Sequence, residues 1–201
     1  RFEHLIYASS SSIYGSNKKI PFSINDRVDN PISLYGASKR SGELITQSYS
    51  RMFNINCTGL RFFSVYGPWG RPDMAYYLFT DKISNGEPIP IYNHGDMKRD
   101  FTYINDVITG TRSAIDKDYK CVVFNLGNHR SEQLMDIVHL IEENLGEKAE
   151  IDFQPMQPGD VPESFANIDK SVKMLGYKPA TNVEVGISKF VEWYHEYYCD
   201  K

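Results

Sequence analysis

Cysteine is scarce in this chain. Cys57, Cys121 and Cys199 are the only three among 201 residues, far apart and without a C-x-x-C pair. That argues against a disulfide scaffold or structural zinc and fits a reducing compartment. The five histidines, His4, His94, His129, His139 and His195, show no H-E-x-x-H or comparable spacing, so no metal site is expected. No apolar run reaches the roughly 18 residues that a membrane span needs. Nor is there an excess of basic charge: 22 Lys and Arg stand against 26 Asp and Glu, a formal net of −4. Nothing general therefore draws the chain to nucleic acid or an anionic membrane, although a local pocket can still hold phosphate. The expectation is a soluble, cytoplasmic protein long enough for one substantial core or a large piece of a bigger enzyme.

What is present is an alternation of apolar strands and helical periods. Leu5-Ile6-Tyr7-Ala8 reads as a buried strand, followed by a serine-rich turn and a polar segment through Pro31. A helix is expected from Tyr35 to about Phe53, a strand over 58–65, a helix over 74–84 and a short strand over 89–92. Next come a polar turn over 96–99, an extended stretch over 100–103, and a helix capped by Asn105. A buried strand over 122–126 precedes a helix ending before Gly146. Ile151 and Phe153 mark a strand, a loop spans 155–162, and a short helix spans 170–175. The last helix opens on Thr181-Asn182-Val183-Glu184, a T-x-x-E capping box, and carries the stripe Val183, Ile187, Phe190, Val191, Tyr194. The pattern selects α/β over a helical bundle or β-sandwich. A parallel strand so near residue 1 needs neighbours and helical cover, which suggests the back part of a longer protein.

One pair of residues points to chemistry. Tyr35 and Lys39 lie one helical turn apart, so both side chains can enter one site. A lysine ammonium beside a phenol favours phenolate. A phenolate can take a proton from an alcohol while a second group takes hydride from the same carbon. Alone, Y-x-x-x-K is a weak motif.

The wider pattern is more specific. Tyr7-Ala8-Ser9-Ser10-Ser11-Ser12-Ile13-Tyr14-Gly15 and Tyr35-Gly36-Ala37-Ser38-Lys39 resemble the serine loop and catalytic helix of the extended short-chain dehydrogenase/reductase family, specifically its nucleotide-sugar epimerases. The segments 60–68, 99–106, 175–179 and 190–194 extend the resemblance along the whole chain. Gly67-Pro68-Trp69-Gly70-Arg71-Pro72-Asp73-Met74-Ala75 is most similar to UDP-glucuronate 4-epimerases. The resemblance implies the late part of a Rossmann-type NAD-binding parallel sheet over residues 1–72. Over residues 73–201 it implies a smaller mixed α/β region for the nucleotide sugar, interleaved with returning core elements.

It also implies roles. Tyr35 would be the base, Lys39 the residue that holds nicotinamide ribose and assists Tyr35, and Ser10 the hydroxyl near the sugar. Ser11, Ser12, Ser64 and Arg71 would face the uronate carboxylate, the arginine because its planar donors engage both oxygens. Arg99 would clamp the diphosphate, with a surface pair to Asp96 or Asp100 as the plainer alternative. Tyr92 would lie beside the uracil and Asp160 near the nucleotide ribose. NAD is the implied cofactor, a UDP-sugar the substrate and a homodimer the assembly, with no nucleic-acid partner. The expected reaction interconverts UDP-glucuronate and UDP-galacturonate through a 4-keto intermediate. Ser12, where related decarboxylases and dehydratases carry an acidic residue, favours epimerisation over loss of CO₂. UDP-glucose/galactose 4-epimerase, another nucleotide-sugar dehydratase or decarboxylase, and a non-catalytic binding protein are the alternatives. The glycine-rich turn that holds the dinucleotide pyrophosphate in this family does not occur within residues 1–201. These residues alone are therefore expected to be inactive.

Overall fold

A computed structural model describes residues 3–198; Cys199 lies outside the described residues. The first apolar run forms β1 (His4–Ser10), and a short 3-10 turn over Ser11–Tyr14 follows. After the polar segment comes the long helix α1 (Leu34–Phe53). Its start is fixed locally, because the Ser33 hydroxyl accepts the Gly36 N–H at 3.0 Å, satisfying one of the N–H groups that an opening helix leaves without a partner. Asn54, in the left-handed region, ends it.

The chain returns as β2 (Asn56–Phe62), parallel to β1 in the register Ser9↔Arg61. β2 is the middle strand of a three-stranded parallel sheet whose third member is β7 (Cys121–Leu126), with Arg61↔Asn125 in register. At the other end of this pairing, Cys57 and Cys121 are register partners. Their free thiols stand 3.4 Å apart. Burial, with Cys121 adding to it, pushes the Cys57 thiol up to about 11.

The strand expected over 58–65 is two strands. The Phe63 N–H bonds to Leu126 of the main sheet, while the next N–H, of Ser64, bonds to Asp100. The chain thus crosses between sheets, and β3 (Ser64–Tyr66) pairs with β6 (Phe101–Tyr103). Between them lie α2 (Ala75–Ser84), β4 (Ile89–Tyr92) and β5 (Lys98–Arg99). Residues 96–99 are therefore not wholly a turn: Lys98 and Arg99 are held as a strand by β10 (Glu163–Ser164) on one side and β8 (Glu132–Gln133) on the other. Helix α3 (Ile104–Ile115) starts two residues earlier than expected, with Tyr103 at its cap and no side-chain cap bond. Asn105 is consequently inside the first turn and caps nothing.

Helix α4 (Leu134–Leu145), strand β9 (Ile151–Gln154) beside β4, and the short helix α5 (Asp169–Leu175) match the expected positions. Helix α6 (Val183–Tyr198) begins two residues after Thr181. The Thr181 N–H bonds instead to the Asp106 carboxylate, and the Asn182 side chain accepts from Arg130, so the expected capping box does not form at Thr181. A lost cap costs about 1 kcal/mol. The fully buried Ile187, Phe190, Val191 and their neighbours contribute roughly 1.5–3 kcal/mol each, so the stripe holds α6.

Two apolar cores result. One joins α2, α4 and α6 around Tyr76, Ile137 and Phe190. The other packs α3 and α5 on the parallel sheet around Leu60, Phe124 and Tyr177. The polar segment before α1 is tied down at Phe22, whose backbone bonds to Phe165 and Asn167 at 2.9 Å each. No helix among the described residues is long and apolar enough to cross a membrane.

Candidate active site

In a parallel sheet, ligands sit beyond the carboxyl ends of the strands. There, past Ser10 and Phe62, a cleft of about 580 Å³ opens between the two cores. It brings together Ser10, Ser11, Ser12, Tyr35, Ser64, Arg71, Arg99 and Asp160. Tyr92 lines an adjoining recess of about 440 Å³ that shares Ser64, Arg99 and Asp160 with the cleft. Lys39 stands behind Tyr35: its Nζ is 5.6 Å from the phenol ring centroid and donates to the Ala8 carbonyl at 3.2 Å.

The serine turn is ordered from within. The Ser10 hydroxyl accepts the Ser12 N–H and donates to the Ser12 hydroxyl, both at 3.2 Å. Helix α1 closes on this turn because Gly36 has no side chain. A Cβ there would lie 2.6 Å from the Ser12 carbonyl oxygen. Tyr35 is half-exposed and lines the same cleft as Trp69 and Arg71.

The two arginines differ in setting. Arg99 is largely buried and pairs with Asp160 at 2.7 Å, while also donating to the Lys98 and Pro162 carbonyls. Burial draws its guanidinium below the usual range. Its carboxylate partner is neither Asp96 nor Asp100. Arg71 is 70% exposed and already held in a two-point pair by Asp73, at 3.0 and 2.6 Å. The Asp73 carboxylate raises the Arg71 pKa and is itself lowered by it.

Three residues beside the cleft were missed in the sequence. Asp100 is fully buried and accepts from Thr102 and from the backbone N–H groups of Asn128, His129 and Ala166, at 2.5 to 3.1 Å. Burial still pushes its carboxyl up. It knits the 127–129 turn and residue 166 to the strand end that carries Arg99. Glu43 of α1 and Arg61 of β2 are also buried and form a two-point pair at 2.9 Å. Burial opposes the Glu43 charge, and Arg61 outweighs it, so the carboxyl lies below its usual range. A signal existed: an arginine inside Thr58-Gly59-Leu60-Arg61-Phe62-Phe63 requires a buried counter-charge.

For a dinucleotide, the donor set fits at one end. The Lys39 ammonium lies 5.6 Å from the Tyr35 ring at the carboxyl end of β1, and a phenol hydroxyl with an ammonium is a donor set that suits the diol of a nicotinamide ribose. Among the described residues, no three His, Cys, Asp or Glu side chains cluster to hold a metal.

Residues 1–127 match the family described as NAD dependent epimerase/dehydratase. The chain is 52% identical over 194 residues to an uncharacterised protein of Methanocaldococcus jannaschii, covering 96% of this chain and 60% of that one. It is 46% identical over 211 residues to UDP-glucuronate 4-epimerase 1 of Arabidopsis thaliana, covering 96% and 49%. In structure it is similar to UDP-glucuronic acid 4-epimerase from Bacillus cereus solved in complex with UDP-glucuronic acid and NAD. There the TM-score is 0.93 and the identity 32%, over 98% of this chain and 63% of that one. The chain thus spans between about half and two thirds of these proteins' length.

Proposed function

This chain belongs to the NAD dependent epimerase/dehydratase family, and from that premise we propose that the protein is a nucleotide-sugar 4-epimerase that interconverts UDP-glucuronate and UDP-galacturonate with NAD. The observation that carries this reading is the single cleft in which Tyr35, the serine turn, Arg71 and Arg99 meet. The relatives named for UDP-glucuronate epimerisation support the choice of sugar.

Tyr35, with Lys39 behind it, removes the proton of the sugar 4-hydroxyl and later returns one to the same oxygen, while Ser10 holds that oxygen. NAD, held at its nicotinamide ribose by Tyr35 and Lys39, supplies a reversible two-electron acceptor for the sugar carbon. Ser11, Ser12, Ser64 and Arg71 orient the uronate carboxylate, which keeps the 4-keto sugar out of the geometry for losing CO₂. Arg99 takes the diphosphate, Tyr92 stands beside the uracil, and Asp160 is placed for the ribose. Residues 1–201 offer no glycine-rich turn for the pyrophosphate, so a polypeptide confined to them should bind NAD weakly and turn over little.

The assembly we propose is a homodimer through α1, whose exposed face carries Leu44, Ile45, Tyr49 and Met52. Light scattering of the purified protein reads this directly.

One observation favours a second reading, a UDP-glucose/galactose 4-epimerase: Arg71 is already engaged by Asp73 and mostly exposed. The deciding experiment incubates the full-length natural protein with NAD and each UDP-sugar and follows the sugar by NMR. Formation of UDP-galacturonate from UDP-glucuronate without net NADH is the expected result. Conversion of the neutral sugars alone would replace the first reading with the second.

A further inference from the structure

Tyr35, Lys39 and Glu43 follow one another at four-residue intervals and so share one face of α1. Two of these residues touch the end of β1. The Lys39 ammonium donates to the Ala8 carbonyl, and the Glu43 carboxylate accepts the Ser9 hydroxyl at 2.7 Å. Ser10, the residue placed beside the sugar, is next in line.

The same carboxylate reaches the far side of the serine turn. Arg61 gives two of its nitrogens to Glu43 and a third to the Tyr14 hydroxyl at 2.9 Å, and Tyr14 donates onward to Asn125 at 2.7 Å. Tyr14 ends the turn that Ser10 begins. Ser9, Arg61 and Asn125 are register partners across β1, β2 and β7, so the contacts form one row across the sheet. Arg40, a partly exposed cation, completes the set at 3.1 Å from Glu43.

We infer that Glu43, through Arg61, is a positioning residue that ties both ends of the serine turn to the helix bearing Tyr35 and Lys39. It touches neither substrate nor cofactor. A side chain at this depth that served only to fill the core would be apolar, since a buried charge pair seldom gains over well-packed hydrocarbon. What the pair supplies is direction, because its planar two-point geometry fixes both the rotation of α1 and its height over the sheet.

The inference rests on the epimerase reading, so its test has an arm that does not. In the full-length natural protein, Glu43→Asp keeps the charge but shortens the reach, and Ser9→Ala removes one bond while leaving the ion pair whole. For both variants, kcat on UDP-glucuronate should fall at least tenfold for Glu43→Asp and threefold for Ser9→Ala. KM should stay within threefold and the melting temperature above the assay temperature. Unchanged kcat per folded molecule would overturn the inference, whatever happens to stability. If the unaltered protein converts no UDP-sugar, the epimerase reading fails by itself, and amide exchange then decides. Faster exchange confined to residues 10–14 and 35–39 in Ser9→Ala supports positioning. Exchange equal to the unaltered protein, or raised uniformly, refutes it.

Discussion

Gly36 rests against the backbone of Ser12 so closely that a methyl group in place of its hydrogen would stand 2.6 Å from the Ser12 carbonyl oxygen. The helix that carries Tyr35 and the turn that carries Ser10 meet at this contact. Within an ordinary helix, alanine would be favoured over glycine by about 1 kcal/mol. At this position the sign should reverse. Gly36→Ala is expected to destabilise the fold by roughly 1–3 kcal/mol, as overpacking does, and to lower turnover further by lifting Tyr35 off the turn. Urea unfolding beside steady-state rates checks both parts. A more stable Gly36→Ala protein would mean that the two backbones yield easily.

Tyr35→Phe removes the proposed proton acceptor together with its hydroxyl contact to the nicotinamide ribose, and because the ring is half-exposed the core is little disturbed. UDP-sugar affinity measured by calorimetry should be retained, and turnover should drop by about 100-fold or more. Lys39→Met, which strips the ammonium from beside both Tyr35 and Ala8, should impair NAD binding as well. Near-normal rates in Tyr35→Phe would remove it from the proton path.

Arg71→Ala tests the sugar preference. If its guanidinium leaves Asp73 for the uronate carboxylate, the loss of affinity should be at least tenfold greater for UDP-glucuronate than for UDP-glucose, of the order of one charged hydrogen bond. Equal losses would assign the Arg71–Asp73 pair to loop structure.

Stability in acid should depend on Glu142. Burial disfavours its charge, but the Ala149 N–H, Lys148 and His139 outweigh that and hold its carboxyl down at about 2. Because the folded value lies below the unfolded one, the stabilisation is fully present above the ordinary glutamate range. It disappears as pH falls from there toward 2. Glu142→Gln should therefore cost stability at pH 7 and much less at pH 3, by denaturant titration at each pH. An equal cost at both would leave the linkage unsupported.

The two neighbouring thiols should react unequally. Cys121 is exposed, whereas Cys57 is buried with its thiol pushed up to about 11, and the thiolate is the nucleophile. Iodoacetamide at pH 8 should label Cys121 in the folded protein and spare Cys57, as read by peptide mass spectrometry.

The sequence was informative where a residue's surroundings follow from its neighbours in the chain. Leu5 to Ala8, the α6 stripe and the Tyr35–Lys39 spacing disclose their elements through period alone. The serine turn and Tyr35 meet because one ends a strand and the other opens the next helix. Long-range pairing was hidden. Glu43 looks like a solvated charge, and nothing local names it as the counter-charge that Arg61 needs until β2 is seen to be the central strand; Asp100 looks like a partner for Arg99 until four donors converge on it. The strand over 58–65 splits for the same reason, since only the distant Leu126 and Asp100 carbonyls determine which sheet each N–H joins.

The strap between the serine turn and Tyr35 is anchored through Phe22 to residues 165–167, and this bears on the order of assembly during synthesis. Contacts between distant parts of a chain wait until both have been made. Ser10 and Tyr35 leave the ribosome long before Asn167, yet the backbone bonds that hold Phe22 in the strap joining them cannot form until Asn167 has emerged. The cleft wall formed by Phe22, Ile32 and Ser33 is therefore among the last parts of the molecule to take shape. A ribosome stalled before that point would display Tyr35 and the serine turn on a strap not yet anchored at Phe22.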